Sequence, residues 1–135
     1  MTRLIWNHAC TVGVKAMDDQ HGILVDAVNE LRLAVVRGSG RESLRVLLDR
    51  IVEFSALHFV SEERLMEQSA FPGLGEHHAE HNRLLAQLRK AARSLECEDG
   101  FAMGALLASL REGFTTHIGA LDRQYGPWLN ERGIR

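Results

Sequence analysis

A chain of 135 residues with 16 Lys plus Arg, 18 Asp plus Glu and a formal charge of −2 is long enough to bury one core without disulfide or metal staples. Both signs of charge are spread along it, which excludes the basic patch that nucleic acid or an anionic membrane surface requires. No apolar run reaches the roughly 20 residues of a membrane span, and Asn7 and His8 interrupt the N-terminal apolar stretch before it could form a signal-peptide core, so the expected location is the cytoplasm.

Residues 1–17 read as a non-helical arm. Apolar positions then recur at helical spacing in four blocks. His21, Leu24, Val28, Leu31 and Val35 predict a helix over about 18–37. Leu44, Leu47, Ile51, His58, Glu62 and Leu65 predict one over 41–68. His77, His81, Leu84, Leu88, Ala91 and Leu95 give a third over 76–95, and Met103, Leu106, Leu110, Phe114, His117 and Leu121 a fourth over 100–121. Gly38-Ser39-Gly40, the stretch Ser69 to Gly75 with Phe71-Pro72-Gly73, and Glu96 to Gly100 separate them with breaker chemistry. Gly126-Pro127 is expected to end the last helix and leave a short C-terminal tail. The two-residue alternation of strands, internal repeats and low-complexity segments are all missing from the pattern. The expectation is therefore one all-α domain over 1–135, an up-down-up-down antiparallel four-helix bundle with short connections. Cys10 and Cys97 form no CxxC pair and read as two reduced thiols.

Seven histidines are many for this length, and five of them are arranged. His21, His58, Glu62, His77, His81 and His117 sit among the leucines of the apolar stripes, so a bundle would point them inward. An unpaired imidazole or carboxylate is costly there unless it is hydrogen-bonded, neutralised or bound to a metal. His58 with Glu62, and His77 with His81, are spaced i,i+4, which puts each pair on one helix face about a turn apart.

Heights along the bundle give a second test. In an antiparallel hairpin of equal-pitch helices, residues at one height are symmetric about the loop centre. His21 and His58 are symmetric about position 39.5, within Gly38-Ser39-Gly40; Glu62 with His77, and His58 with His81, about 69.5, at the start of the second break. His81 with His117 gives 99, and His77 with Asp122 gives 99.5, at Asp99-Gly100. Seven groups from four helices thus share one level. Asp122 fits least well, because i,i+5 from His117 turns it off that face in a regular helix; either the helix ends there or it holds a π-type irregularity, for which Gly119 is a plausible site. His78, i,i+3 from His81, is not excluded by spacing as a competitor of His77. His8 and Glu63 read as surface or solvated residues.

Five imidazoles and two carboxylates are too many ligands for one ion, and without a thiolate the mixture suits iron, manganese or zinc better than Cu(I) or calcium. Two octahedral ions offer about twelve positions. Five histidines, two bridging carboxylates and a bridging oxo or hydroxo leave one open, a place for a small diatomic ligand. The H-E-x-x-H zinc motif and the E-x-x-H pairs of ferritin-like di-iron sites do not occur.

With these residues in view the chain resembles the hemerythrin family, in particular its single-domain bacterial members. The likeness spans nearly the whole sequence: Trp6 followed by "VGV" (12–14), "MDDQH" (17–21), "HFVSEERLM" (58–66), "FPGLGEHHAEH" (71–81), "HIGALD" (117–122) and "YGPWLN" (125–130). The resemblance implies a non-haem di-iron centre bridged by oxo or hydroxo that binds dioxygen reversibly. It selects His77 over His78, and implies His77, His81 and His117 on one iron, His21 and His58 on the other, with Glu62 and Asp122 bridging.

The implied role is that of an oxygen carrier, store or deliverer, with an unidentified oxygen-accepting protein as partner, rather than an enzyme. The same vacancy could serve peroxide or nitric oxide reduction, or oxygen and redox sensing. Against sensing, the chain starts at Met1 and ends soon after the bundle, which leaves no output domain in view. Gly113 and Phe114, one turn before His117, are candidates for lining an apolar pocket. The sequence departs from its relatives at Gly113 and Cys10, where aromatics are frequent, and at Gly22, where Lys is. A missing ring at Gly113 is expected to open a path to solvent and speed autoxidation.

Overall fold

The computed structural model describes residues 11–97, 107–114, 117 and 122–135. Five helical segments and no strand occur among them: α1 (Lys15–Val36), α2 (Arg41–Gln68), α3 (Leu74–Cys97), α4 (107–114) and α5 (Arg123–Glu131). The architecture is an all-α four-helix bundle, with α5 following α4 in the chain. His8, Cys10 and Gly119 lie outside the described residues. No described helix is long and apolar enough to cross a membrane.

Three described helices end in one way. Beyond α1, Gly38 takes φ +71, its N–H donates to the Val35 carbonyl, and the Ser39 N–H reaches back 2.9 Å to Ala34. Beyond α5, Gly133 (φ +83) and Ile134 repeat this against Asn130 and Leu129. Beyond α2 the left-handed position is held by Ala70 (φ 55), with Phe71 N–H donating to the Met66 carbonyl at 2.8 Å. These are Schellman caps, which satisfy the last carbonyls and reverse the chain within a few residues. Phe71 and Ile134 each add the apolar contact that accompanies such a cap.

Three of the boundaries that differ from the periodicity have a local setting that accounts for them. α1 starts at Lys15, three residues before the expected start, because the Asp18 carboxylate accepts the Val12 N–H at 2.7 Å and the Gly13 N–H at 3.3 Å. That bond ends the arm at Val14 and starts the helix there. α3 starts at Leu74 rather than 76, directly after the Phe71-Pro72-Gly73 turn. At the C-terminus, Gly126-Pro127 does not end the helix, since α5 runs through both. Pro127, the fifth residue of α5, gives up the N–H that would reach the Arg123 carbonyl and sets its ring against that carbonyl. Burial decides the rest: Tyr125, Gly126 and Leu129 are inaccessible, and a Cβ on Gly126 would lie 1.8 Å from the Val12 carbonyl oxygen. The arm crosses directly over that glycine.

The core has two apolar layers. One gathers Leu24, Val28, Leu31, Leu48, Ile51 and Leu88 with Leu107, Leu110 and Phe114, drawing on α1 to α4. The other gathers Val12, Val14, Met17, Met66, Phe71, Tyr125 and Leu129. Along every helix a polar level separates the two: His21 lies between Met17 and Leu24, His58 and Glu62 between Ile51 and Met66, and His117 and Asp122 between Phe114 and Tyr125.

Candidate metal centre

The polar level is the candidate site. His21, His58, Glu62, His77, His81, His117 and Asp122 are all at most 2 % exposed. His117 and Asp122 both carry the wide hydrogen-bond pattern of a π turn, and that extra residue per turn brings an i,i+5 pair onto one face. Gly119 and the other residues between them, where the irregularity is expected, lie outside the described residues.

All five rings turn Nε2 inward. Asp122 Oδ1 lies 2.6 Å from His77 Nε2 and 2.7 Å from His117 Nε2, while its Oδ2 lies 2.8 Å from His21 Nε2. Glu62 Oε1 lies 2.9 Å from His58 Nε2 and 3.3 Å from His81 Nε2. The donor atoms fall into two groups, each within 4.8 Å: Glu62, His77, His81, His117 and Asp122 in one, and His21, His58, Glu62 and Asp122 in the other. Both carboxylates belong to both groups.

Electrostatics follow from this crowding. Burial pulls the His21 and His117 imidazoles down, but Asp122 and Glu62 beside them outweigh it and raise both to about 9. Burial likewise pushes the Asp122 and Glu62 carboxyls up, and the surrounding imidazoles outweigh it, holding both well below the usual carboxylate range. Burial and the two carboxylates push the Tyr125 phenol well above its usual 10.

A donor set of this kind fits two cations. His58 Nε2 faces Glu62 Oε1 at 2.9 Å and His21 Nε2 faces Asp122 Oδ2 at 2.8 Å, all buried from water with only one another as partners, a crowding of donor atoms whose desolvation cost a bound cation relieves. His81 Nε2 and His117 Nε2 point at each other across 3.2 Å, an arrangement suited to two lone pairs on one ion. Imidazole and carboxylate donors, with no sulfur, match a first-row metal such as iron.

Three positioning groups escaped the sequence reading. Tyr125 donates its O–H to Glu62 Oε2 at 2.5 Å. Gln20 Oε1 lies 2.5 Å from the outer nitrogen, Nδ1, of His58. Glu63, expected to be solvated, is half-buried; it hydrogen-bonds His78 Nδ1 and lies 3.5 Å from His81 Nδ1. Such outer partners fix ring orientation and ligand basicity. Phe59 stacks on the His81 ring at 4.1 Å and 9°. His78 is exposed and its contacts run to Glu63 and Asn82, outside the central level. Gly113 and Phe114 are buried, and a Cβ on Gly113 would meet Leu84 Cδ2 at 3.0 Å.

The model of the hemerythrin HHE cation binding domain matches residues 12–129. The chain belongs to the hemerythrin family. It is 30 % identical to a bacteriohemerythrin of Ralstonia nicotianae over 95 % of its own length and 90 % of that protein, and 27 % identical to one of Methylococcus capsulatus over 84 % and 86 %. A myohemerythrin of Riftia pachyptila is 24 % identical over 90 % of this chain and 89 % of its own. Among solved structures, a wild-type hemerythrin superposes with a TM-score of 0.85 at 27 % identity, covering 95 % of this chain and 98 % of that one. Hemerythrins bind dioxygen at a non-haem di-iron centre and are not enzymes, so this chain is a di-iron oxygen-binding protein by family.

Proposed function

We propose that this hemerythrin carries, stores or delivers dioxygen, with His77, His81 and His117 holding one iron, His21 and His58 the other, and Glu62 and Asp122 bridging. The observation that carries the reading is the division of the buried donors into a group with three histidines and a group with two, sharing both carboxylates. The group with fewer ligands keeps the open position. Two irons there would supply the electrons and the binding position for dioxygen.

The chain's own residues set the conditions for reversibility. Phe59, Leu84 and Phe114, each at most 3 % exposed, keep water from the level of the site, and exclusion of water suppresses loss of a reduced oxygen species. Tyr125 fixes the orientation of Glu62, and Gln20 that of His58. The cytoplasm and a separate oxygen-accepting protein complete the proposal.

The test is the optical spectrum of the iron-loaded, reduced protein, recorded anaerobically, after admitting oxygen, and after removing it. A charge-transfer band that appears with oxygen and vanishes on its removal is the expected result. A band that never reverts would sink the carrier reading in favour of redox sensing or turnover. Glu62→Ala and Asp122→Ala test the ligand assignment; each is expected to lose iron and, because metal binding is coupled to folding, stability as well. Retention of two irons by either variant would refute bridging.

A further inference from the structure

α2 carries two heptad seams. The inner one, Leu44, Leu48, Ile51, Ser55, His58 and Glu62, is buried in the bundle. The outer one, Val46, Arg50, Glu53, Leu57 and Val60, steps by four and three residues in the same way and is exposed along its length. Val46 is 45 %, Leu57 69 % and Val60 55 % exposed, and every large exposed apolar side chain among the described residues lies on α1 or α2. Beside this seam runs a groove of about 360 Å³ lined by Ile23 and Ala27 of α1 and Arg50, Glu53, Phe54 and Leu57 of α2. A regular 4-3 seam on a helix already packed on its other side is the pattern of a helix paired with another helix.

The order of residues names the second helix. The seam reads apolar, positive, negative, apolar, and is symmetric about position 51.5. Laid against a copy of itself running the opposite way, Arg50 meets the partner's Glu53, Glu53 meets the partner's Arg50, and Val46 meets the partner's Leu57. Ser43 falls opposite the partner's Val60. The partner's Val46 would then enter the groove beside Ile23, Phe54 and Leu57. A parallel copy would place Arg50 on the partner's Arg50 and Glu53 on the partner's Glu53, a like-charge arrangement that disfavours it. A two-fold interface must be self-complementary in this way.

We propose that the outer face of α2, with the α1–α2 groove beside it, is the interface of an antiparallel homodimer centred between Arg50 and Glu53. The two charge pairs set register and direction, and the apolar positions at Val46, Leu57 and Ile23 supply the burial. The metal level is not part of the contact, so both sites of the dimer stay complete within their own chains.

Sedimentation equilibrium of the iron-loaded full chain tests this. The wild type is expected at about twice the 15.1 kDa of one chain. Arg50→Glu and Glu53→Arg, each alone, place like charges opposite one another twice and are expected at the monomer mass. An equimolar mixture of these two variants restores both pairs and is expected to return to the dimer mass. Both substitutions are at exposed positions, and iron content and far-ultraviolet circular dichroism check that each variant is folded. A wild type that stays monomeric over the accessible concentrations overturns the proposal and leaves the groove to a partner of other chemistry. Dimeric single variants, or a mixture that stays monomeric, overturn it equally.

Discussion

Removal of the Tyr125 hydroxyl isolates one hydrogen bond at the centre of the fold. The ring lies in the lower apolar layer, fully inaccessible, with Phe71 at 6.5 Å and the His77 ring at 5.5 Å. Tyr125→Phe keeps that packing and deletes only the donor to Glu62 Oε2. The carboxylate oxygen it faces is buried among apolar side chains and imidazoles, with no access for water to replace the lost bond. A hydrogen bond to a charged group contributes about 1.5–3 kcal/mol, and an unsatisfied buried acceptor adds its own desolvation penalty, so a loss of roughly 2–3 kcal/mol is expected. For a domain of this size that corresponds to a fall in Tm of about 6–12 °C. Because the phenol is held well above its usual pKa, it stays a donor throughout the neutral range, and the loss should not vary between mildly acidic and mildly alkaline buffer. Calorimetry of the metal-free and iron-loaded forms measures it. A shift within about 2 °C of zero in both forms would show that the phenol does not hold Glu62, and the argument for a positioned bridging carboxylate would fail with it.

In the metal-free protein His21 and His117 are raised to about 9, so both are protonated at neutral pH, whereas a metal takes neutral imidazole. Iron loading at pH 7.5 should therefore release about two protons from these rings, beyond those a bridging water gives up, and fewer as pH rises through 9, measured by titration calorimetry in buffers of different ionisation enthalpy; a release that does not fall through that range would contradict the shifts. The sign for metal-free stability follows. These imidazoliums stabilise the fold fully below their unfolded pKa, and that contribution is lost as pH rises through about 9. Ala70→Gly relieves an exposed alanine at φ 55; against the entropy cost of glycine, a net gain of about 0.5–1 kcal/mol is expected, and thermal denaturation showing no gain would remove the strain argument. Gly113→Trp sets a ring beside the hollow of about 190 Å³ lined by Arg83, Gln87, Ser109, Glu112 and Gly113 itself. Covering this side is expected to slow autoxidation several-fold in air, followed optically, and no slowing would dismiss Gly113 as a route for solvent.

Heights were legible in the sequence because height depends only on counting: helices of equal pitch joined by tight caps keep residues symmetric about the loop centres, as His21 and His58 are about Gly38-Ser39-Gly40. Asp122 was legible as a misfit, since the i,i+5 spacing from His117 turns it off that face of a regular helix. Rotation about each helix axis is where counting fails. Glu63 sits next to Glu62 and was assigned to solvent, yet its side chain swings between His78 and His81 of the neighbouring helix. Gln20, one residue before a site histidine, serves His58 of the next helix. Tyr125 was hidden for a different reason. Gly126-Pro127 is a stop signal by local rules, yet α5 runs through both and Gly126 packs under the Val12 carbonyl, a contact between opposite ends of the chain that counting along one helix does not show.

The same arrangement bears on what the site does with oxygen. Reduction of peroxide or nitric oxide to completion consumes protons, which must reach the reacting atoms from an acid nearby. Among the described residues the buried groups at this level are poor sources. Tyr125 is committed to Glu62 Oε2 and its proton is held more tightly than that of an ordinary phenol. Ser55, one turn before His58, is fully buried with its hydroxyl unpartnered, and an alcohol is a weaker acid still. Glu63 and His78 connect to the surface, but they approach the site through Nδ1 of His81, on the outer edge of a ring whose Nε2 faces inward. Among the described residues, apolar layers lie above and below this level, and the proton-bearing side chains that reach the candidate ligands from outside it, Tyr125 on Glu62 and His78 by way of Glu63, are each bonded to a carboxylate.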